Sequence, residues 1–181
     1  MMFDLESIEI FKQHLSFLKQ TSYDEANKKF MTEDERSVVN FDGVKEAYLT
    51  SLGCQSESIS SVDALMQNSA KVIFVEFKNG VMKKEKPKVS SKIKDSLLIF
   101  GGLTHSDINY TRGNAEFILV YNEAKNPRGN SGFIWQKVSD YAKEETIRFG
   151  LSDYKKVYFQ DVHTYTEKEF EEYLQRLNIN F

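Results

Sequence analysis

Cysteine is nearly absent. Cys54 stands alone among 181 residues, so no internal disulfide can form. One thiol cannot supply the ligand set of a cysteine-based zinc site. With no nucleophile context around it, Cys54 reads as a structural thiol, buried or half-buried. Proline is almost as scarce, with two residues, which argues against long linkers. No apolar run approaches the roughly 20 residues that span a bilayer. The opening stretch MMFDLESIEIF has early acids and no basic leader, so no signal peptide is read. An excess of one charge is missing too: 24 Lys and Arg face 27 Asp and Glu, a net of −3. A polyanionic ligand would need a local basic patch. His14, His105 and His163 lie far apart, without metal-ligand spacing. Together these absences predict a cytoplasmic chain that does not engage a membrane.

What is present fits one mixed α/β domain over 1–181. Apolar residues make up 40% of the chain, enough for a sizeable core. Ile8, Phe11, Leu15 and Leu18 recur at helical spacing and predict an amphipathic helix over 4–19. Further helices are predicted over 24–31 and 42–52, the latter ending at Gly53, so residues 1–41 read as a helical extension. The character then changes. Residues 59–65 and 71–78 read as two antiparallel strands joined at Gln67-Asn68-Ser69. A lysine-rich loop leads to a helix over 90–100, stopped by Gly101-Gly102. Strands are predicted at 116–121 and 157–161, with a helix over 132–149 between them. Thr166 and Glu169 form a capping box for a closing helix that buries Phe170, Tyr173, Leu174 and Leu177. The predicted architecture is a mixed central sheet flanked by helices.

The strand Val72–Lys78 carries the chemistry-bearing residues. Side chains alternate along a strand, so Ile73, Val75 and Phe77 share one face, and Val72, Phe74, Glu76 and Lys78 share the other. Apolar residues on both faces mark a central strand, yet two charges sit at its end. Charges there cost desolvation unless they pair, bind a metal or meet solvent. Asp63, in the preceding strand, would lie beside Glu76 if the two strands form a hairpin. A divalent cation relieves the repulsion between two such carboxylates, and Mg²⁺ prefers oxygen ligands. The bland alternative pairs Glu76 with Lys78 at a solvated strand end and leaves Asp63 in a turn.

At these residues the sequence resembles the PD-(D/E)xK, or restriction-endonuclease-like, nuclease superfamily. Asp63 and Glu76-Phe77-Lys78 match its acid, then acid-x-Lys, on successive strands. Helix, strand, strand, helix, strand over about 42–121 matches its core order. Val62 stands where the family's proline would precede the first acid. The resemblance implies a restriction-endonuclease-like core over 42–181 and hydrolysis of a nucleic-acid phosphodiester, of DNA before RNA. It implies Mg²⁺ (or Mn²⁺) held by Asp63 and Glu76 with Glu46 from the preceding helix, and Lys78 near the attacking water.

Lys83, Lys84, Lys86, Lys88, Lys92 and Lys94 follow, against Glu85 and Asp95. This run reads equally as a nucleic-acid-binding segment or as a solvated loop. Lys92 reads first as an exposed helix position and second as a residue reaching the site. Asn126–Gly132 lacks the P-loop Gly-Lys-Ser/Thr and reads as a connecting loop, and Trp135 is core-spaced. The functional expectation is a metal-dependent nuclease, with a homodimer as the candidate assembly. The alternative is a catalytically inactive nuclease-fold module that binds nucleic acid or a protein.

Overall fold

The computed structural model describes residues 4–55, 57–69, 71–128 and 146–178. The strands are β1 (Leu15–Phe17), β2 (Tyr23–Asp24), β3 (Lys29–Phe30), β4 (Ser37–Asn40), β5 (Ala64–Asn68), β6 (Lys71–Lys78), β7 (Ala115–Tyr121) and β8 (Asp161–Thr166). The α-helices are α1 (Glu9–Lys12), α2 (Leu18–Thr21), α3 (Phe41–Ser51), α4 (Met82–Thr104), α5 (Ile108–Asn114) and α6 (Glu167–Asn178). Among the described residues, six strands form one sheet in the order β1-β4-β5-β6-β7-β8, and β2 and β3 form a separate hairpin. β5 and β6 pair antiparallel; β6, β7 and β8 run parallel. The chain is α/β, with a mixed central sheet covered by helices on both faces.

Alternation along β6 sorts the core into two layers. Val72 and Phe74 pack with Phe41 and Val44 of α3 and with Val89, Ile93 and Phe100 of α4. Ile73, Val75 and Phe77 pack on the other side with Phe170 and Leu174 of α6. Each such large side chain contributes on the order of 1.5–3 kcal/mol when fully buried, so the two layers together hold the sheet in place. Glu76 belongs to the first layer, beneath α4.

Several elements differ from those the sequence predicts. The N-terminal stripe does not form one helix. Phe11 enters the α3–α4 layer, whereas Leu18 enters the α6 layer. One helix cannot bury a single stripe on two sides of a sheet, so the chain crosses the edge as β1, paired with β4 at Leu15–Val39. The predicted helix over 24–31 is the β2–β3 hairpin. Asp24 accepts from the backbone of Ala26 and Asn27, and Lys28 adopts a left-handed φ of 50°. That Asx turn competes with a helix. β4 makes the extension partly extended rather than all-helical, with Val38 and Val39 buried in opposite layers.

The lysine-rich segment is the start of α4, not a loop. Its buried first amide, that of Met82, donates to Asn126 Oδ1 at 2.7 Å. Gly101 and Gly102 do not stop α4, which runs to Thr104. They allow close approach instead: a Cβ on Gly102 would meet the Tyr48 hydroxyl at 2.9 Å. The strand predicted at 59–65 begins only at Ala64, and Gln67 and Asn68 continue it rather than turning. The last strand lies at 161–166 rather than 157–161; Lys156 has a φ of 65° that extended backbone does not adopt. Cys54 is exposed, just past α3, rather than a buried thiol. The closing helix is capped as expected, with Glu169 Oε2 accepting from Thr166 N–H at 2.8 Å and Thr166 Oγ1 accepting from Glu169 N–H. The predicted helix over 132–149, with Trp135 and most of the Asn126–Gly132 loop, lies outside the described residues except at its C-terminal end. There, 146–149 are not helical.

Candidate active site

The β5–β6 register pairs Ala64 with Val75 and Leu65 with Phe74. Continued by one residue, it sets Asp63 directly opposite Glu76. Residues opposite one another in an antiparallel pair share a face, so both carboxylates point into the α3–α4 layer. Backbone contacts fix this position. Asp63 N–H donates to Val75 O at 3.1 Å, and Asp63 O accepts from Phe41 N–H at 3.1 Å. Asp63 Oδ2 accepts from Phe77 N–H at 2.7 Å, which leaves Oδ1 to face inward.

The chain leading into Asp63 is not a strand, so its polar groups need other partners. α4 supplies them. Ser60 N–H donates to Asp95 Oδ2 at 3.0 Å, and the buried Val62 N–H donates to Ser96 Oγ at 2.8 Å. The Ser61 hydroxyl donates to Asp42 Oδ1 at 2.5 Å. Lys92 lies one turn earlier on the same stripe of α4. Its ammonium sits 2.9 Å from Asp63 Oδ1, 2.9 Å from Glu76 Oε1 and 3.0 Å from Glu76 Oε2. Lys78 Nζ approaches Glu76 Oε1 at 2.7 Å. Two carboxylates from neighbouring strands and two ammonium groups thus form one cluster.

Glu76 is 0% exposed. Burial first, and then the Asp63 carboxylate, push its carboxyl up to about 7, against the opposing pull of Lys92 and Lys78. Burial disfavours the Lys92 charge, but the carboxylates of Glu76 and Asp63 outweigh it and hold the ammonium protonated beyond its ordinary range. Glu76 Oε1 is buried and pairs with both ammonium groups, Lys78 Nζ at 2.7 Å and Lys92 Nζ at 2.9 Å. A buried carboxylate oxygen on which positive charge already converges suits a hard cation. Asp63 Oδ1 and Glu76 Oε1 are both oxygen donors directed at one point, and Mg²⁺ is commonly held by one or two carboxylates plus waters and phosphate oxygens. The donor set therefore fits such an ion. Its entry would require the Lys92 ammonium to move aside.

The other expected site residues fall into place unevenly. Glu46 does not join the pair: its side chain is 72% exposed and meets Lys45 at 2.9 Å. Among the described residues no group of three or more His, Cys, Asp and Glu side chains is arranged to hold a metal. Lys83, Lys84, Lys86 and Lys88 are all exposed on the first turns of α4. With 3.6 residues per turn, Lys88 and Lys84 fall one and two turns before Lys92 on nearly the same side of the helix. Lys83 lies on the opposite side. Lys86 borders a separate cleft with Tyr154 and Gly150.

Lys92 itself is the residue least well read from sequence. Its side chain is only 18% exposed, and it bridges the two acids rather than facing solvent. The spacing Lys92-x-x-Asp95-Ser96, a polar stripe beside the buried Ile93 and Phe100, was the available signal. No family model, curated protein or solved structure matches the chain.

Proposed function

We propose that the chain is a metal-dependent nuclease of restriction-endonuclease-like type, hydrolysing phosphodiester bonds in nucleic acid at Asp63, Glu76 and Lys78. The observation that carries this reading is the convergence of Asp63 Oδ1 and the buried Glu76 Oε1 on one point beside Lys78. Asp63 and Glu76 would hold Mg²⁺ or Mn²⁺, Asp63 being oriented by the Phe77 amide. Bound there, the ion supplies Lewis-acid polarisation of a phosphoryl oxygen and a water of lowered pKa. Lys78 orients the attacking water and stabilises negative charge developing on the phosphate. Together with Lys78, Lys92 balances the two carboxylates before substrate arrives, and its ammonium then turns to a phosphate oxygen. Lys84 and Lys88 extend the positive charge along α4 for the neighbouring phosphates.

One observation favours a second reading, a nuclease-fold module that binds without cutting. Lys92 and Lys78 together already neutralise the two carboxylates, so the cluster is charge-balanced without an ion. A single experiment separates the two. Single- and double-stranded DNA and RNA are incubated with the protein in Mg²⁺, Mn²⁺ or chelator, and Glu76→Gln and Lys78→Met are compared with wild type. The nuclease reading requires metal-dependent cleavage that falls at least about 100-fold in both variants. Cleavage that survives Glu76→Gln removes the site assignment. Binding without cleavage in any metal favours the module.

A further inference from the structure

Beside the carboxylate pair lies a cleft of about 420 Å³, bounded on one side by Asp63 and Lys78 and on the other by the β2–β3 hairpin. The hairpin is a fixed wall. Asp24 Oδ2 accepts from Asn79 Nδ2 at 2.7 Å, just beyond the end of β6. Lys29 pairs with Glu167 at 2.7 Å, and the Thr32 hydroxyl donates to Glu171. The Ser22 hydroxyl oxygen accepts from the amides of Met31 and Thr32, closing the base of the hairpin. The cleft is therefore preformed.

Its lining is unsuited to a phosphate but suited to a base. Asp24, Glu25 and Glu85 border it, and their charge repels a phosphate there. Phosphates are favoured only at the opposite edge, by Lys78. Tyr23, also on the lining, is 42% exposed and packs against Phe30 at a ring separation of 4.8 Å. An exposed ring held in place by a second ring offers a stacking surface, and neighbouring carboxylate and amide groups accept hydrogen bonds from base amino groups.

We infer that this cleft receives one unpaired nucleotide next to the scissile phosphate, its base stacked on Tyr23, so that the substrate is a single strand or a frayed end rather than an intact duplex. The inference rests on the nuclease reading for the position of the phosphate. Bases in a duplex are paired and stacked, and would have to be flipped out to enter.

The test is binding of a short fluorescein-labelled single strand, as DNA and as RNA, and of a blunt duplex of the same sequence. Fluorescence anisotropy is read with Ca²⁺ and with chelator. The single strand is expected to bind at least ten-fold more tightly than the duplex. Tyr23→Ala should weaken single-strand binding about ten-fold and leave duplex binding unchanged, while Tyr23→Phe retains it. Equal affinity for strand and duplex, or no effect of Tyr23→Ala, overturns the inference. The DNA and RNA arms decide which sugar is accepted. Should Tyr23→Ala fail to fold, photo-crosslinking of an iodouridine-bearing strand to wild type decides: adducts on the 23–30 hairpin support the inference, and adducts confined elsewhere overturn it. Tyr23-dependent strand binding without metal-dependent cleavage keeps this inference and removes the nuclease reading. Metal-dependent duplex cleavage that ignores Tyr23→Ala does the reverse.

Discussion

Replacing Lys92 by Met should make stability strongly dependent on pH. The ammonium contacts Asp63 Oδ1 and both Glu76 oxygens at 2.9–3.0 Å. Methionine keeps the apolar stem but removes the charge and leaves two carboxylates side by side. Removing one partner of a buried ion pair typically costs about 3–5 kcal/mol. Lys78 still contacts Glu76, so the lower end, about 3 kcal/mol, is expected at pH 8. At pH 5 Glu76 is protonated in wild type and variant alike, because its carboxyl titrates near 7. Only the contact with partly exposed Asp63 is then lost, costing about 1 kcal/mol or less. Urea unfolding at both pH values measures the difference, which should shrink by about 2 kcal/mol between pH 8 and pH 5. In thermal unfolding, the pH 8 loss corresponds to a midpoint lower by roughly 6–12 °C. Equal destabilisation at the two pH values, or a more stable variant at pH 8, refutes the reasoning.

Wild-type stability should itself fall as pH rises. The folded carboxyl of Glu76 titrates near 7 against an ordinary 4.5, so the folded state holds the proton more tightly than the unfolded state. This contribution is full below 4.5 and is lost as pH passes 7, up to about 3 kcal/mol in all. Glu76→Gln should flatten that slope in urea titrations, and an unchanged slope would assign it to another group. Ser96→Ala strips the partner from the buried Val62 amide and should cost about 1–3 kcal/mol by chemical unfolding; it should also weaken metal binding by displacing Asp63. A cost within error would show that the segment before Asp63 is held some other way. Thr166→Ala removes the cap of α6 and should cost about 1 kcal/mol, with no effect on metal affinity.

The central strand was legible because its alternation is a local property. Val72 to Lys78 reads the same in sequence and structure, and the capping box at Thr166 and Glu169 depends on contacts only three residues apart. The N-terminal region was not legible for the converse reason. Ile8, Phe11, Leu15 and Leu18 satisfy helical spacing, but Phe11 and Leu18 serve opposite faces of the sheet, and only the whole fold decides that. The Asp24 to Lys28 turn was signalled by its Asp and Asn, a local cue outweighed by the helical reading. At the site, the Asp63–Glu76 pairing followed from the hairpin. The reach of Lys92 depended on where α4 crosses β6, and the start of α4 at Met82 was hidden by Pro87, a residue that disfavours helix interiors. The place of Glu46 on the preceding helix points to the site, yet the face of α3 it occupies looks to solvent.

Titration of the protein with Mn²⁺ by calorimetry at pH 8 and pH 6 tests the proposed metal site most directly. Asp63 and Glu76 must both be ionised to hold the ion, and burial pushes the Glu76 carboxyl up to about 7, so protons compete with the ion below that pH. The expected result is binding to wild type at pH 8, several-fold weaker at pH 6, and lost in Glu76→Gln. Absence of binding to wild type at pH 8, or affinity unchanged by Glu76→Gln, would contradict it.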